Sequence, residues 1–180
     1  MKYTDLEIVI PVYNEGEKII KLMDEFTNNV KTNFKVLLCY DLDSDNLFEY
    51  IDEFKKYNFD INLIKNPSQG PLSAIKHGLN SGNSSAVIVY PADDLLNYKL
   101  LDKMYEKFKE GNDIVVASRF IKGGSMKNCP FIKSILVRTA SFTLYFLSSI
   151  PVRDASNGFR LFSRKLLNQV KIESKVGFAY

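Results

Sequence analysis

One stretch of this chain decides its fold: Ser84-Ser85-Ala86-Val87-Ile88-Val89-Tyr90-Pro91-Ala92-Asp93-Asp94. It begins as a short apolar run rich in β-branched residues and ends abruptly in a proline and two adjacent carboxylates. This pattern predicts a buried strand whose carboxyl end delivers charge to one edge of a sheet. Asp93 and Asp94 are therefore the first candidates for the chemical centre of the molecule.

The chain on either side of this stretch alternates between strand and helix patterns. Apolar runs predict further strands at 6–12, 34–40, 60–64 and 113–117. Apolar residues at helical spacing predict helices at 17–30, 72–81 and 100–108, and a further helix that ends near residue 57. Strands that alternate with helices through short links indicate a mostly parallel, Rossmann-like α/β sheet flanked by helices.

Beyond Arg119 the pattern changes. Residues 133–149 predict a helix with a basic start and an almost uncharged remainder, and residues 154–162 predict a strand or a turn. The apolar stretch 139–152 is shorter than the ~20 residues that a helix needs to cross a bilayer. By default residues 142–152 of it belong to the core, although the stretch could also lie on a membrane surface.

Length and composition limit the classes of protein. A chain of 180 residues, 46% apolar, can bury one core, so we expect a single domain over 1–180. The formal charge of +3, with acids and bases interspersed, argues against nucleic acid as a partner. Cys39 and Cys129 are far apart and the chain has one histidine, so a zinc site or a disulfide framework is not expected. No leader pattern precedes the first strand, which favours the cytosolic side.

Polar residues recur where the predicted strands end: Asn14, Glu15, Asp41, Asp43, Asp93, Asp94 and Arg119. In parallel sheets these ends meet at one edge, where ligands bind. Neither a Gly-x-Gly-x-x-Gly fingerprint nor a Gly-Lys-Ser/Thr loop is present to hold phosphate. Carboxylates with few bases beside them suit a divalent cation that bridges a diphosphate, because Mg²⁺ takes one or two carboxylates and keeps its other positions for water and phosphate oxygens.

Plainer interpretations exist for each feature. Asp93-Asp94 is equally typical of a helix N-cap, and capping explains at least one acid of the loop at 41–45. Lys133 and Arg138 are commonly a solvated helix face. The recurrence of acids at successive strand ends favours a ligand site over these separate explanations.

Six motifs then point to a family: Ile10-Pro11-Val12-Tyr13-Asn14-Glu15, the acidic loop at Asp41, Gly70 before a helix, Ala92-Asp93, Ser118-Arg119, and Asp154-Ala155-Ser156-Asn157-Gly158-Phe159-Arg160. In this order and spacing they resemble the family 2 glycosyltransferases with the GT-A fold. The branch they resemble is the polyprenyl-phosphate sugar transferases, the dolichol-phosphate mannose synthase group. The resemblance extends over about residues 6–178.

The resemblance implies transfer of a sugar from a GDP- or UDP-sugar, with inversion at the anomeric carbon, to a dolichyl or undecaprenyl phosphate. It also implies a cofactor, Mg²⁺ or Mn²⁺, on the donor diphosphate, and a peripheral location at the cytosolic face of a membrane. Two alternatives stay open: a non-catalytic nucleotide-sugar-binding domain, and a transferase of the same fold that acts on a soluble saccharide.

The resemblance also implies a role for each matched position. The implied nucleotide-sugar site comprises Pro11, Tyr13, Asn14, Glu15, Asp41, Asp43, Gly70, Pro91 and Ala92. Within it, Asp41 contacts the base of the nucleotide. Asp93 and Asp94 are the implied metal ligands and catalytic carboxylates. Arg119 is also placed among the catalytic residues, and it faces the acceptor phosphate together with Lys133 or Arg138.

Two departures from the family pattern stand out. Pro91 occupies the position where the family motif usually begins with an acid, so metal binding is expected to be weaker, shifted onto Asp94, or lost. The sequence ends at Val176-Gly177-Phe178-Ala179-Tyr180, where the family supplies further acceptor-side and membrane-facing segments. We therefore expect a catalytic domain without those segments.

Overall fold

A six-stranded sheet lies at the centre of the computed structural model, which describes residues 4–126, 129–147 and 152–174. The strands are β1 (Leu6–Val12), β2 (Phe34–Tyr40), β3 (Ile61–Lys65), β4 (Ala86–Val89), β5 (Ile114–Val116) and β6 (Arg160–Ser163). The helices are α1 (Gly16–Asn29), α2 (Pro71–Ser81), α3 (Leu101–Lys109), α4 (Phe131–Leu147) and α5 (Arg164–Gln169), with 3₁₀ segments at Asn46–Lys56 and Asn97–Leu100.

The strand order is β3-β2-β1-β4-β6-β5. The first four strands pair in parallel, and β6 runs antiparallel between β4 and β5. The predicted, mostly parallel α/β sheet is confirmed. The segment predicted as a strand or a turn contains both, because turn residues at 153–156 precede β6. The carboxyl ends of β1, β2 and β4 thus lie side by side.

The core consists of two apolar layers, one on each face of the sheet. Ile8 and Ile10 of β1 point to the layer that contains α1 and α3, whereas Val9 points to the layer that contains α2. This alternation follows from the two-residue period of a strand. Because both faces are covered, the central strands can be apolar throughout, as the sequence of β4 suggested.

At the amino ends of the parallel strands, a buried carboxylate binds the first residue of α5. The sequence patterns did not predict this helix. Glu7 of β1 is fully buried and pairs with Arg164 at 2.6 Å and Lys35 at 2.9 Å. Burial alone would raise the pKa of Glu7, but hydrogen bonds from backbone N–H groups and from Lys35 outweigh it and lower that pKa. This network keeps the last part of the sheet in place.

Helix α4 differs from the rest of the molecule. It begins at Phe131, two residues before the predicted start, and is described to Leu147; the predicted end at residue 149 lies outside the described residues. The expectation that residues 142–152 belong to the core is wrong for the part that lies on α4, where Phe142, Phe146 and Leu147 are exposed; residues 148–151 lie outside the described residues, and Ser141 is the only buried residue of the helix. Within the described ranges, no helix has the length and apolar character needed to cross a membrane.

Candidate active site

A cavity of about 840 Å³ opens at the carboxyl ends of the parallel strands. Most of the residues predicted for the nucleotide-sugar site line it, together with the predicted metal ligand Asp93: Pro11, Tyr13, Glu15, Asp41, Gly70, Pro91 and Ala92. Asn14 and Asp43, which were predicted for the nucleotide-sugar site, and Asp94, the second predicted metal ligand, are not among its lining residues. The cavity has the size of a small-molecule site and lies where ligands bind in open α/β sheets.

The two adjacent carboxylates after β4 have different surroundings. Asp94 accepts hydrogen bonds from the backbone N–H groups of Leu96 and Asn97, at 3.0 and 2.9 Å, and from the Asn97 side chain at 2.6 Å. It therefore caps the 3₁₀ segment that follows, as the plainer interpretation of the doublet predicted. Asp93 is exposed, lines the cavity and has no hydrogen-bond or ion-pair partner among the described residues.

Asp41 organises the far wall of the cavity. One carboxylate oxygen accepts a hydrogen bond from the Asn66 side chain and the other from the Gly70 backbone N–H, both at 2.8 Å. Gly70 has a φ of +107°, a conformation that favours glycine, and Pro71 then starts α2. Each carboxylate oxygen has a second lone pair, so Asp41 can still accept an N–H from a ligand in the cavity.

The loop after β1 is held by the loop after β2. Asn14 is the only non-glycine residue with a positive φ, +54°, among the described residues. Its backbone N–H donates to the buried carboxylate of Asp45 at 2.9 Å, and the backbone N–H of Gly16, the first residue of α1, donates to the Asn46 side chain at 2.9 Å. Asp45 also caps the 3₁₀ segment through Leu47 at 2.8 Å, so the predicted capping role of the acidic loop is confirmed there. These bonds leave Tyr13 exposed at the rim of the cavity.

The remaining acids of the predicted site are already paired. Glu15 pairs with Lys18 at 2.6 Å, and that hydrogen bond raises the pKa of Lys18. Asp43 is exposed and pairs with Lys65. The charge of Asp93 also raises the pKa of Lys18, but among the described residues Asp93 is the one of the three cavity carboxylates without a hydrogen-bond or ion-pair partner.

Arg119 is bound to a buried carboxylate. Its Nε and Nη2 donate to the two oxygens of Asp154 at 2.7 and 2.6 Å, its backbone N–H donates to the same group at 2.9 Å, and Nη2 also reaches Ser156. Burial would raise the pKa of Asp154, yet these hydrogen bonds outweigh it and lower that pKa. Arg119 therefore joins the end of β5 to the turn before β6, and this pairing competes with the predicted role at an acceptor phosphate.

The two other predicted acceptor-phosphate residues lie on α4. Lys133 is exposed and lines neither the cavity at the strand ends nor the smaller cavity, of about 380 Å³, beside α4. Arg138 lines the smaller cavity, and its guanidinium carbon lies 5.4 Å from the centroid of the Phe120 ring.

Sequence reasoning missed several residues of both cavities. Gln69, Tyr90 and Gly158 line the larger one, and Ser141 and Arg153 line the smaller one. Gly158 lies within a motif that the sequence did indicate, and Gln69 directly precedes Gly70. Ser141 and Arg153 carried no local signal, because their significance comes from the packing of α4 against other segments.

Comparison with solved structures defines the class of fold. A mannosyltransferase from Pyrobaculum calidifontis, solved with GDP-Man and Mn²⁺, superposes with a TM-score of 0.61 at 15% identity over 94% of this chain and 47% of its own. Glucosyl-3-phosphoglycerate synthase from Mycobacterium tuberculosis, solved with Mn²⁺ and UDP, gives 0.63 at 18% identity over 94% and 60%. These likenesses confirm the predicted GT-A fold.

The sequence comparison gives the family. The model of Glycosyl transferase family 2 matches residues 7–171, and the chain belongs to this family. It is 24% identical over 177 residues to a dolichol-phosphate mannosyltransferase of Pyrococcus furiosus, which covers 96% of this chain and 50% of the relative. It is 23% identical over 173 residues to a polyprenol monophosphomannose synthase of Mycolicibacterium smegmatis, at 93% and 64% coverage. The chain thus spans about half to two thirds of these relatives.

Proposed function

We propose that this chain is the catalytic domain, over 1–180, of a transferase that moves a sugar from a GDP- or UDP-sugar to a polyprenyl phosphate. The observation that carries the proposal is the unpaired Asp93 at the rim of a cavity at the strand ends, in a chain of glycosyl transferase family 2. The names of the relatives, a dolichol-phosphate mannosyltransferase among them, support the class of acceptor.

The nucleotide is assigned to the side of the cavity nearest β1 and β2. Pro11 and the exposed Tyr13 offer apolar and aromatic surface to a base, and Asp41 offers an acceptor for its N–H groups. Guanine and uracil both carry such N–H groups, so this contact suits either donor. The hydrogen bonds that fix Asp41 and Asn14 orient these groups before the donor binds.

The donor diphosphate is assigned to the side near Asp93, which would hold a Mg²⁺ or Mn²⁺ ion that neutralises part of its charge. A single exposed carboxylate without a protein partner fits such an ion, since Mg²⁺ is bound through one or two carboxylates together with phosphates and water. Pro91 removes one carboxylate from the motif, and the capping bonds of Asp94 leave Asp93 as the protein ligand in this proposal. When bound, the ion supplies positive charge that stabilises the departing nucleoside diphosphate.

The chemical step needs no strong base. A phosphate oxygen of the acceptor, already anionic near neutral pH, attacks the anomeric carbon, and the bond from that carbon to the donor diphosphate breaks with its electron pair leaving on the nucleotide. The phosphate oxygen attacks the face of the anomeric carbon opposite the departing diphosphate, so the anomeric configuration inverts. The protein contributes orientation and charge screening, which are the effects that its fixed loops supply.

The acceptor is assigned to the side of α4, at the cytosolic face of a membrane. Exposed apolar side chains such as Phe131, Ile132 and Leu136, with Lys133 and Arg138 among them, suit a helix that lies in the headgroup region. In this position α4 would meet a lipid-borne phosphate without crossing the bilayer.

Turnover with defined substrates tests the proposal. Release of nucleoside diphosphate is measured from a panel of GDP- and UDP-sugars, with Mg²⁺ or Mn²⁺, with and without a polyprenyl phosphate. We expect release from at least one donor that depends on both the metal and the lipid phosphate. Donor binding without turnover on any acceptor would support a binding domain instead, release with a soluble saccharide would support the other alternative, and no binding of any donor would contradict the proposal.

A further inference from the structure

The smaller cavity, beside α4, has the composition of a site for an amphiphilic anion. Its volume is about 380 Å³, and it lies between α4 and two other segments, one at Phe120 and one at Arg153. Most of its wall is aromatic, with Phe142 and Phe146 in contact at a ring-centroid distance of 4.3 Å. The cavity is thus mostly apolar with a few polar groups, as small-molecule sites usually are.

Two guanidinium groups flank this cavity on aromatic rings. The guanidinium carbon of Arg138 lies 5.4 Å from the Phe120 centroid, and that of Arg153 lies 5.6 Å from the Tyr145 centroid. Among the residues that the structure describes, neither group has a carboxylate within ion-pair distance, in contrast to Arg119. Two guanidiniums thus line one cavity and donate to no acceptor among the described residues, and arginine side chains of this kind commonly bind phosphate.

A buried hydroxyl completes the polar part of the cavity. Ser141 is 3% exposed, lines the cavity, and its Oγ has no hydrogen-bond partner within the described part of the chain. A helical serine either faces solvent or donates to the carbonyl four residues earlier, as Thr143 does to Thr139 at 2.9 Å. Since buried polar groups are nearly always paired, the Ser141 hydroxyl is a donor that lacks its acceptor.

We propose that this cavity binds the phosphate and first isoprene units of an isoprenyl monophosphate. Arg138 and Arg153 hold the phosphate, the Ser141 hydroxyl donates to one of its oxygens, and the aromatic wall holds the chain. This inference rests on the proposed function and moves the anion contact of the acceptor from Arg119, which is bound to Asp154, to Arg138 with two residues not previously assigned.

Calorimetric titration of the 180-residue chain with farnesyl phosphate, below its micelle concentration, tests the inference. Farnesol and inorganic phosphate are titrated in parallel, because they carry the apolar chain or the anion alone. We expect farnesyl phosphate to bind at least ~10-fold more tightly than either, since a charge-assisted contact adds about that factor. Equal binding of farnesol would leave only an apolar groove, equal binding of inorganic phosphate would leave only an anion site, and either result would overturn the proposal.

Matched variants assign the contacts. We expect Arg153→Gln and Arg138→Gln each to weaken farnesyl phosphate by ~10-fold, and Ser141→Ala by ~3- to 10-fold, with farnesol unchanged. Lys109→Gln, which removes a cation 5.4 Å from the Tyr105 ring on α3, and Thr143→Ala, which removes a satisfied hydroxyl on α4, serve as controls with wild-type binding. Wild-type affinity in all three cavity variants would overturn the proposal.

Two readings on the same samples separate this inference from the proposed function and from misfolding. Thermal unfolding should change little in every variant, because the arginines are exposed and serine to alanine removes an unpaired group. Binding of GDP or UDP with Mn²⁺ reports on the larger cavity alone. If farnesyl phosphate binds and no nucleotide does, the proposed function fails while the cavity assignment holds; if nucleotide binds and farnesyl phosphate does not, the assignment fails by itself.

Discussion

Leu38 in β2 and Leu136 in α4 are the same residue type in opposite environments. Leu38 is 0% exposed between the sheet and its helices, whereas Leu136 is 64% exposed on a helix whose other large apolar residues are mostly exposed too. The first region stabilises the fold by burial, at about 25 cal/mol per Å² of apolar surface. In the second, the described residues leave that surface uncovered, so apolar sequence alone does not identify a core.

Charged groups show the same difference between the two regions. At the strand ends, Asp41, Asp45 and Asp94 are fixed by hydrogen bonds from the backbone and from neighbouring amides, and Asp93 is left for a ligand. Beside α4, Arg138 and Arg153 rest on aromatic rings without an acidic partner in the described ranges. The strand ends are therefore organised before a ligand arrives, and the cavity beside α4 is organised around an anion that the described residues do not supply.

The comparison is tested most strongly by the two leucines themselves. We expect Leu38→Ala to lower the free energy of unfolding by about 4 kcal/mol, because it leaves a cavity in a packed layer. Leu136→Ala should change it by less than about 0.5 kcal/mol. Urea unfolding measures both, and vesicle flotation should show weaker membrane association only for Leu136→Ala. Similar losses of stability would mean that α4 is packed in solution.

Breaking the ion pair between Arg119 and Asp154 should give the next largest loss of stability. Arg119→Gln leaves the buried Asp154 charge without its partner, so we expect a loss of about 2–3 kcal/mol at pH 7, reduced because the guanidinium is partly exposed. The folded pKa of Asp154 is lowered, so its stabilisation is present above its ordinary pKa, about 4, and is lost as the pH falls through the lowered value.

The difference between wild type and Arg119→Gln should therefore shrink below pH ~4. Urea unfolding from pH 7 to pH 3 measures this dependence. Unchanged stability at pH 7, together with loss of farnesyl phosphate binding, would show that Arg119 serves the acceptor rather than the fold.

The contact between the first two strand-end loops should have the smallest effect on stability. Asp45→Ala removes both a helix cap and the acceptor for the Asn14 N–H, so a loss of about 1–2 kcal/mol is expected. Because the same contact orients the loop that presents Tyr13, nucleotide affinity should fall as well. Asp52→Ala, which removes an exposed acid of the same 3₁₀ segment, is the control for charge. Stability loss with unchanged nucleotide affinity would limit Asp45 to a structural role.

The sequence predicted the sheet well because its signals are local. A run such as 86–89 is apolar on both faces only in a covered parallel strand, and the helices between strands show clear apolar spacing. The strand-end residues could be grouped for the same reason, since parallel topology brings them to one edge. The predicted cavity residues Pro11, Asp41 and Asp93 do lie together there.

The remaining features depend on contacts between distant segments. Asp93 and Asp94 are adjacent and of the same type, and the positions of the N–H groups of Leu96 and Asn97 distinguish the cap from the unpaired acid. Arg119 meets Asp154 across 35 residues, and the exposure of α4 depends on what packs against it. Periodicity locates a helix and its apolar residues, but it does not say whether the protein or another surface covers them.

Nucleotide binding that depends on a divalent ion tests the central claim most directly. GDP and UDP are titrated with and without Mn²⁺ into wild type, Asp93→Asn and Asp94→Asn, variants that each remove one charge from adjacent positions while asparagine can still cap. We predict that Asp93→Asn loses Mn²⁺-dependent affinity by more than the ~10- to 100-fold typical of an outer-shell change, and that Asp94→Asn binds like wild type. Wild-type binding by Asp93→Asn, or equal losses in both variants, would contradict the assignment of the metal to Asp93.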